Sequence, residues 1–131
     1  MLIAAFIILG LAALLGAALA VLHLRMGRAG TSSRRPPQPP PWPLAALHGL
    51  VAIGGLLCLA VALRGPPRGL DQGTTSFGII SAALFALAAL LGARFLAARV
   101  FKKRIGGGLI GIHAMLAVSG FVILAAYVFA G

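Results

Sequence analysis

The chain has 131 residues, of which 61% are hydrophobic, and its mean hydropathy is +1.10. This composition excludes an ordinary soluble globular domain, so most of the chain is expected to lie in a lipid bilayer. The net charge of +10 would suit a nucleic-acid partner, but the basic residues occur in short runs between apolar segments. That distribution is typical of membrane topology and weighs against nucleic-acid binding.

Four apolar segments follow one another along the chain, each long enough to cross the hydrocarbon core of a bilayer. We expect membrane spans at about residues 2–22, 44–63, 76–98 and 107–129. The first segment also resembles a secretory signal peptide, but no basic segment precedes it and arginines follow it, so we expect a span there. The predicted fold class is all-α: an integral membrane four-helix bundle that forms a single domain over residues 1–131.

The connections and segment ends carry the polar and aromatic residues. Residues 25–43 are basic and then proline-rich, and we expect a polar loop that ends in a stiff polyproline II linker. Trp42 and Tyr127 stand at segment boundaries, where amphipathic rings anchor helices in the membrane interface. Thr74 or Thr75 is the expected N-cap of the third span.

The basic residues predict the orientation. The first connection carries four of the eleven basic residues, the third carries five, and the second carries only Arg64 and Arg68. Positive charge favours the cytoplasmic side. We therefore expect both termini outside a bacterial-type inner membrane, with the first and third connections in the cytoplasm.

One sequence phrase occurs twice without a gap, from Leu44 to Gly55 and again from Leu109 to Gly120, 65 residues later. The two copies agree at a leucine, a histidine, an alanine and a glycine, which are Leu44, His48, Ala52 and Gly55 in the first copy and Leu109, His113, Ala117 and Gly120 in the second. Positions i, i+4 and i+7 share one face of a helix. The bundle is therefore predicted to consist of two repeated hairpins, residues 1–65 and 66–131.

The two histidines are predicted to lie at equal depth. His48 follows Trp42 by six residues and His113 follows Gly107 by six, about 9 Å along a helix in each case. The second and fourth spans run in the same direction and are diagonal in an up-down bundle, so both imidazoles can point at its axis. Haem iron accepts one axial nitrogen on each face of the porphyrin. We therefore predict one haem b per chain, with His48 and His113 as the iron ligands.

Neighbouring residues complete the predicted site. The small residues one and two turns beyond the histidines would line a slot for the ring: Ala52, Gly55, Ala117 and Gly120. Lys103 or Arg104 would pair with the haem propionates. An alternative stays open, because small residues at this spacing also let membrane helices pack with no cofactor, and an intramembrane histidine can simply bind a neighbouring carbonyl.

Three other residues are assigned roles outside the ligand set. His23 stands at the end of the first span and is expected at the interface, while Met115 lies two residues from His113 and so faces away from it. Cys58 is expected to be a small packing residue.

This pattern resembles the small b-type membrane cytochromes, in which a helical bundle holds haem between paired histidines. The resemblance covers the two histidine spans and the four-helix plan. It departs from the two-haem ascorbate-reducing members, which need four ligand histidines. The resemblance implies one-electron transfer by a subunit rather than a stand-alone enzyme, with a quinone or a redox partner subunit at the other end, inside a larger membrane complex.

Two other functions are compatible with the sequence. A chlorophyll-type pigment-binding subunit would use one histidine for each magnesium, although leucine replaces the alanine that antenna proteins carry four residues before the histidine. A cofactor-free accessory subunit of a larger complex would need no ligands at all. A proton-coupled exporter is disfavoured because the only acidic residue, Asp71, lies in a connection and not in a span.

Overall fold

The computed structural model is all-helical over the residues that it describes, with no strand among them. The four helices are α1 Leu2–Ser32, α2 Trp42–Ala62, α3 Phe77–Val100 and α4 Gly107–Phe129. Each helix contains a segment long and apolar enough to cross a membrane. The predicted class, an all-α membrane protein with four spans, is confirmed. The structure describes residues 1–32, 42–66, 68–101, 103 and 105–129, and for residues 26–32 it describes only the helical backbone.

Three of the four helices have the predicted bounds to within two residues, but α1 is about ten residues longer than expected. The prediction of a loop is wrong for residues 25–32, which are helical. No proline interrupts the chain before Pro36, and an existing helix adds one hydrogen bond for each further residue that it orders. The predicted polyproline linker lies outside the described residues, apart from Trp42 and Pro43, which form the first turn of α2.

The turn between α2 and α3 is built on two glycines in the left-handed region, Gly69 at φ +69° and Gly73 at φ +66°. The Thr74 amide donates to the Gly69 carbonyl at 2.9 Å, which turns the threonine side chain inward. The N-cap of α3 is Ser76, and it makes no side-chain capping bond. The prediction that Thr74 or Thr75 caps the helix is therefore wrong, and the Thr74 hydroxyl is buried without a hydrogen-bond partner among the described residues.

The helices pack as two hairpins. The most extensive contacts join α1 to α2 and α3 to α4, and less extensive contacts join α1 to α4 and α2 to α3. The backbones of α2 and α4 do not approach each other closely, and neither do those of α1 and α3. Each of these pairs is therefore diagonal, as the up-down arrangement requires.

The two hairpins use equivalent residues for their internal packing. Gly55 of α2 lies against Leu9 of α1, and Gly120 of α4 lies against Phe85 of α3. One turn further on, Leu59 and Leu124 are both fully buried. The residues of α1 therefore recur in α3 at an offset of 76, from Leu9 to Phe85, whereas those of α2 recur in α4 at an offset of 65.

All of the buried residues lie in one half of the bundle, between the histidines and the turn that joins α2 to α3. They are Ala5, Leu9, Ala12, Gly55, Leu59, Thr74, Gly78, Ser81, Phe85, Ala88, Gly120, Leu124 and Tyr127. Phe6 of α1 stacks on Phe121 of α4 with ring centres 4.9 Å apart, and the Ser81 hydroxyl donates to the Gly120 carbonyl at 2.9 Å. These contacts join the two hairpins and hold α3 to α4. We call this region the packed half.

Tyr127 belongs to the packed half, so the prediction that it sits at the membrane interface is wrong. Its side chain is 5% exposed. It lies beside Leu63 over Gly78, the second residue of α3. Because glycine has no side chain, the ring can enter the bundle there, and burial of the aromatic surface outweighs an interfacial position.

The other half of the bundle, toward the basic connections, has no buried residue among those described. It comprises residues 13–25, 42–54, 89–100 and 107–119, whose inward-facing side chains are only partly buried. We call it the open half. The four spans converge at one end of the bundle and leave accessible space between them at the other.

Two adjacent glycines of α2 test the packing of the first hairpin. We expect Gly55→Ala to lower the free energy of unfolding by about 1–3 kcal/mol, because the new methyl group would lie 2.7 Å from Leu9 Cγ. Gly54→Ala, at a position with no atom within 4 Å of the new methyl group, should be neutral or slightly stabilising. Denaturation in mixed micelles, followed by circular dichroism, measures both. Equal stability of the two variants would contradict this packing.

Candidate functional site

The structure brings His48 and His113 together near the axis of the bundle. Their ring centres are 6.1 Å apart and their planes are inclined by 78°. The two residues lie on the diagonal helices α2 and α4, so only long side chains can meet across the axis. Both are partly buried, at the level where the packed half gives way to the open half.

Each histidine is fixed by a hydrogen bond to the other helix of its own hairpin. His48 Nδ1 lies 2.9 Å from the Ala12 carbonyl oxygen of α1, and His113 Nδ1 lies 2.9 Å from the Ala88 carbonyl oxygen of α3. A carbonyl oxygen can only accept, so Nδ1 must carry the proton and donate. In a neutral imidazole the lone pair is then on Nε2, which is the arrangement that metal-binding histidines adopt.

Neither Nε2 has a hydrogen-bond donor among the described residues. Two unprotonated nitrogens cannot bond to each other, because both are acceptors. In an apolar bundle an unsatisfied acceptor is costly. The pair is therefore suited to a third group that interacts favourably with two nitrogen lone pairs, and a metal ion is such a group.

The separation of the rings was compared with that of a metal bound in line between them. Metal–imidazole bonds of about 2.0–2.1 Å and ring radii of about 1.1 Å would place the ring centres about 6.3 Å apart. The observed 6.1 Å agrees with this spacing. The part of the chain that the structure describes contains no group of three or more histidine, cysteine or acidic residues that could hold a metal, so the protein ligands at this site would be the two histidines.

A glycine gives each imidazole its place against the neighbouring helix. Gly16 and Gly92 follow Ala12 and Ala88 by one helical turn. A methyl group at Gly16 would lie 3.0 Å from His48 Cε1, and one at Gly92 would lie 3.6 Å from His113 Cε1. The first helix of each hairpin thus supplies an alanine carbonyl and a glycine to the same ring.

Sequence reasoning missed these four residues, although a signal for them exists. It searched for repetition at an offset of 65, which relates the histidine helices. The pair Ala12–Gly16 recurs as Ala88–Gly92 at an offset of 76. A search that allowed the connection between the helices to vary in length would have found it.

Phe95 makes the site asymmetric. Its ring centre lies 5.4 Å from that of His113, with the planes inclined by 65°. The equivalent position in the first hairpin, 76 residues earlier, is Leu19. His113 therefore has an aromatic neighbour on α3, and His48 has an aliphatic residue at the corresponding position of α1.

The predicted slot residues divide into two pairs. Gly55 and Gly120 are buried against α1 and α3, within their own hairpins, and this is the role that such residues have in membrane helices without a cofactor. Ala52 and Ala117, one turn beyond the histidines, are partly buried. The structure does not place the two glycines at a space between the histidines.

The remaining predicted residues are peripheral to the histidine pair. Lys103 is exposed just beyond the end of α3, and Arg104 lies outside the described residues. His23 is exposed, and Met115 is 71% exposed on the outer face of α4. Cys58 is partly buried against the packed half, with no disulfide partner in the chain.

Comparison of the chain with known protein families, with curated proteins and with solved structures finds no match. Function is therefore inferred from the geometry of the histidine pair and its surroundings.

The unequal fit of the two glycines can be tested directly. We expect Gly16→Ala to displace the His48 ring and weaken its bond to Ala12, because a contact of 3.0 Å is tighter than ordinary packing. Gly92→Ala, at 3.6 Å, should leave His113 in place. Nitrogen NMR of histidine-labelled protein without added cofactor reports the protonation of each ring nitrogen. The unchanged protein should show protonated Nδ1 and unprotonated Nε2 in both residues.

Gly49→Ala is the matched control, since no atom lies within 4 Å of its new methyl group. A protonated Nε2 in either histidine of the unchanged protein would contradict the assigned tautomers. Identical spectra for Gly16→Ala and Gly49→Ala would show that Gly16 does not seat the ring.

Proposed function

We propose that the chain is a membrane-embedded b-type cytochrome subunit that carries electrons through one haem b ligated by His48 and His113. The observation that carries this proposal is the pair of imidazoles on diagonal helices, 6.1 Å apart, each with Nδ1 committed to a carbonyl. When bound, the haem would supply a one-electron couple. The chain would supply the ligands, their tautomers and an apolar surrounding.

The number of ligands favours haem over a bare metal ion. A structural zinc site takes four protein ligands, and a catalytic zinc site takes three. The described residues offer only the two histidines in this region. Haem iron needs no more than two, because the porphyrin supplies the other four nitrogens.

The open half supports the same proposal. From the histidines to the basic connections the four helices contain no buried residue among those described, although their inward residues are apolar or small. A flat apolar ring bound at the histidines would cover these side chains. Lys103, and Arg104 outside the described residues, would then be available to the propionates at the basic end.

The partners follow from what the chain lacks. The described residues form helices and short connections with no soluble domain that could hold a substrate. We therefore infer a subunit of a larger membrane complex, whose electron donor or acceptor is a quinone or a redox partner subunit.

Substitution of the ligands tests the proposal. His48→Ala and His113→Ala should each abolish the low-spin reduced-minus-oxidised spectrum and lower the pyridine haemochrome yield from about one haem per chain to near zero. His23→Ala, at an exposed position, is the control and should retain both. A normal spectrum in both ligand variants would refute the bis-histidine assignment.

The spectrum of the unchanged protein separates the alternatives. Bands of a magnesium tetrapyrrole would identify a pigment-binding subunit instead. A colourless protein after haem-replete expression would identify a cofactor-free accessory subunit, in which the histidines serve only as hydrogen-bond donors between helices.

The orientation belongs to the same proposal, with the basic connections in the cytoplasm of a bacterial-type cell. In a Cys58→Ala background, a membrane-impermeant maleimide added to intact cells should label Gln72→Cys, in the turn between α2 and α3. It should not label Gly106→Cys, at the start of α4. Both positions are exposed, so the reverse pattern would indicate the opposite orientation.

A further inference from the structure

A cleft opens beside α3 and α4 at the basic end of the bundle. Two cationic side chains, Arg94 and Lys103, line it together with apolar residues that include Phe95, Phe101 and Leu109. The cleft therefore combines positive charge with an apolar wall, at the level where a membrane helix meets the lipid headgroups.

The cations of this cleft have no acidic partner at their end of the molecule. The chain has eleven basic residues and one acidic residue. That residue, Asp71, lies in the turn between α2 and α3, whereas Arg94 is near the opposite end of α3. The negative charge that balances the cleft must come from another molecule.

Arg94 makes this requirement more than a general attraction. It lies within the third span, six residues before the end of α3 at Val100, about 9 Å along the helix. A cation at that depth is costly unless its side chain reaches the interface and meets an anion there. Lys103 lines the same cleft from beyond the end of α3, so the two charges can converge on one group.

The apolar wall indicates the class of anion. Phe101 is 71% exposed, and with Leu109 it lines the cleft beside the two cations. A soluble anion would leave this surface uncovered. A phospholipid has both a phosphate for the cations and an acyl chain for the apolar wall.

We propose that this cleft is a binding site for an anionic phospholipid, with the headgroup phosphate between Arg94 and Lys103 and an acyl chain along Phe101 and Leu109. The site does not depend on haem. It is nevertheless adjacent to the histidine pair, because Phe95 lines the cleft and also packs against the ring of His113.

Native mass spectrometry of the whole chain in detergent tests the proposal, with phosphatidylglycerol and phosphatidylcholine as probes. We expect phosphatidylglycerol to bind about tenfold to thirtyfold more tightly, as two interfacial cations would produce. The double variant Arg94→Gln/Lys103→Gln should lose this preference. The double variant Arg64→Gln/Arg68→Gln, at the other end of the bundle, should retain it.

Three further arms keep the test decisive. The charge-preserving variant Arg94→Lys/Lys103→Arg should keep most of the preference, and raising the salt from about 50 to 500 mM should weaken binding to the unchanged protein. These two arms remain valid even if the glutamine variant fails to fold. Inorganic phosphate at millimolar concentration should not displace the lipid.

Equal binding of the two lipids, or a preference unchanged in the Arg94→Gln/Lys103→Gln variant, would overturn the proposal. Displacement by inorganic phosphate would overturn it in favour of a soluble anion site. Haem content measured on the same samples separates this result from the proposed function, because the histidines can bind or fail to bind haem whatever the lipid does.

Discussion

Two hydrogen bonds from imidazole to backbone carbonyl fix the arrangement on which the centre of this bundle depends. Each ties a histidine helix to its hairpin partner, His48 to Ala12 and His113 to Ala88, with the same 2.9 Å distance. Each also decides where the proton of the ring resides, so that Nε2 is left as a base. One bond thereby sets both a helix position and a chemical state. Because it uses a backbone oxygen, the acceptor is independent of the side chain at that position.

The bundle is divided at the level of these bonds. On one side the space between the helices is filled by Leu59, Leu124, Phe85 and Tyr127, and both glycines of the repeated phrase are in close helix contact. On the other side no described residue is buried. Tight packing on one side holds the four helices in place, since membrane helices gain most of their association energy from such close contacts. The histidines are thus positioned by the packed half and accessible from the open half.

The fold was largely predictable from the sequence because lipid restricts a spanning segment to few structures. Four long apolar runs can only be helices, and the repeated histidine phrase predicted the diagonal relation of α2 and α4. The finer features were less accessible. The inward turn of Thr74 depends on the backbone of Gly69 and Gly73, and the burial of Tyr127 depends on Gly78 from another helix. The roles of Gly16 and Gly92 were hidden by the unequal connections. The haem and its ligation remain a prediction.

The unequal connections themselves have a consequence for how such a molecule arises. Each histidine and its acceptor alanine are 36 residues apart in the first hairpin and 25 in the second, yet the contacts between them are the same. A single ancestral hairpin, paired with a second copy of itself about a two-fold axis, would already place two imidazoles at the centre. Fusion of two such genes would free each copy to diverge. Leu19 and Phe95, or Ala5 and Ser81, are differences of the kind that symmetry would forbid in a homodimer and that one continuous chain permits.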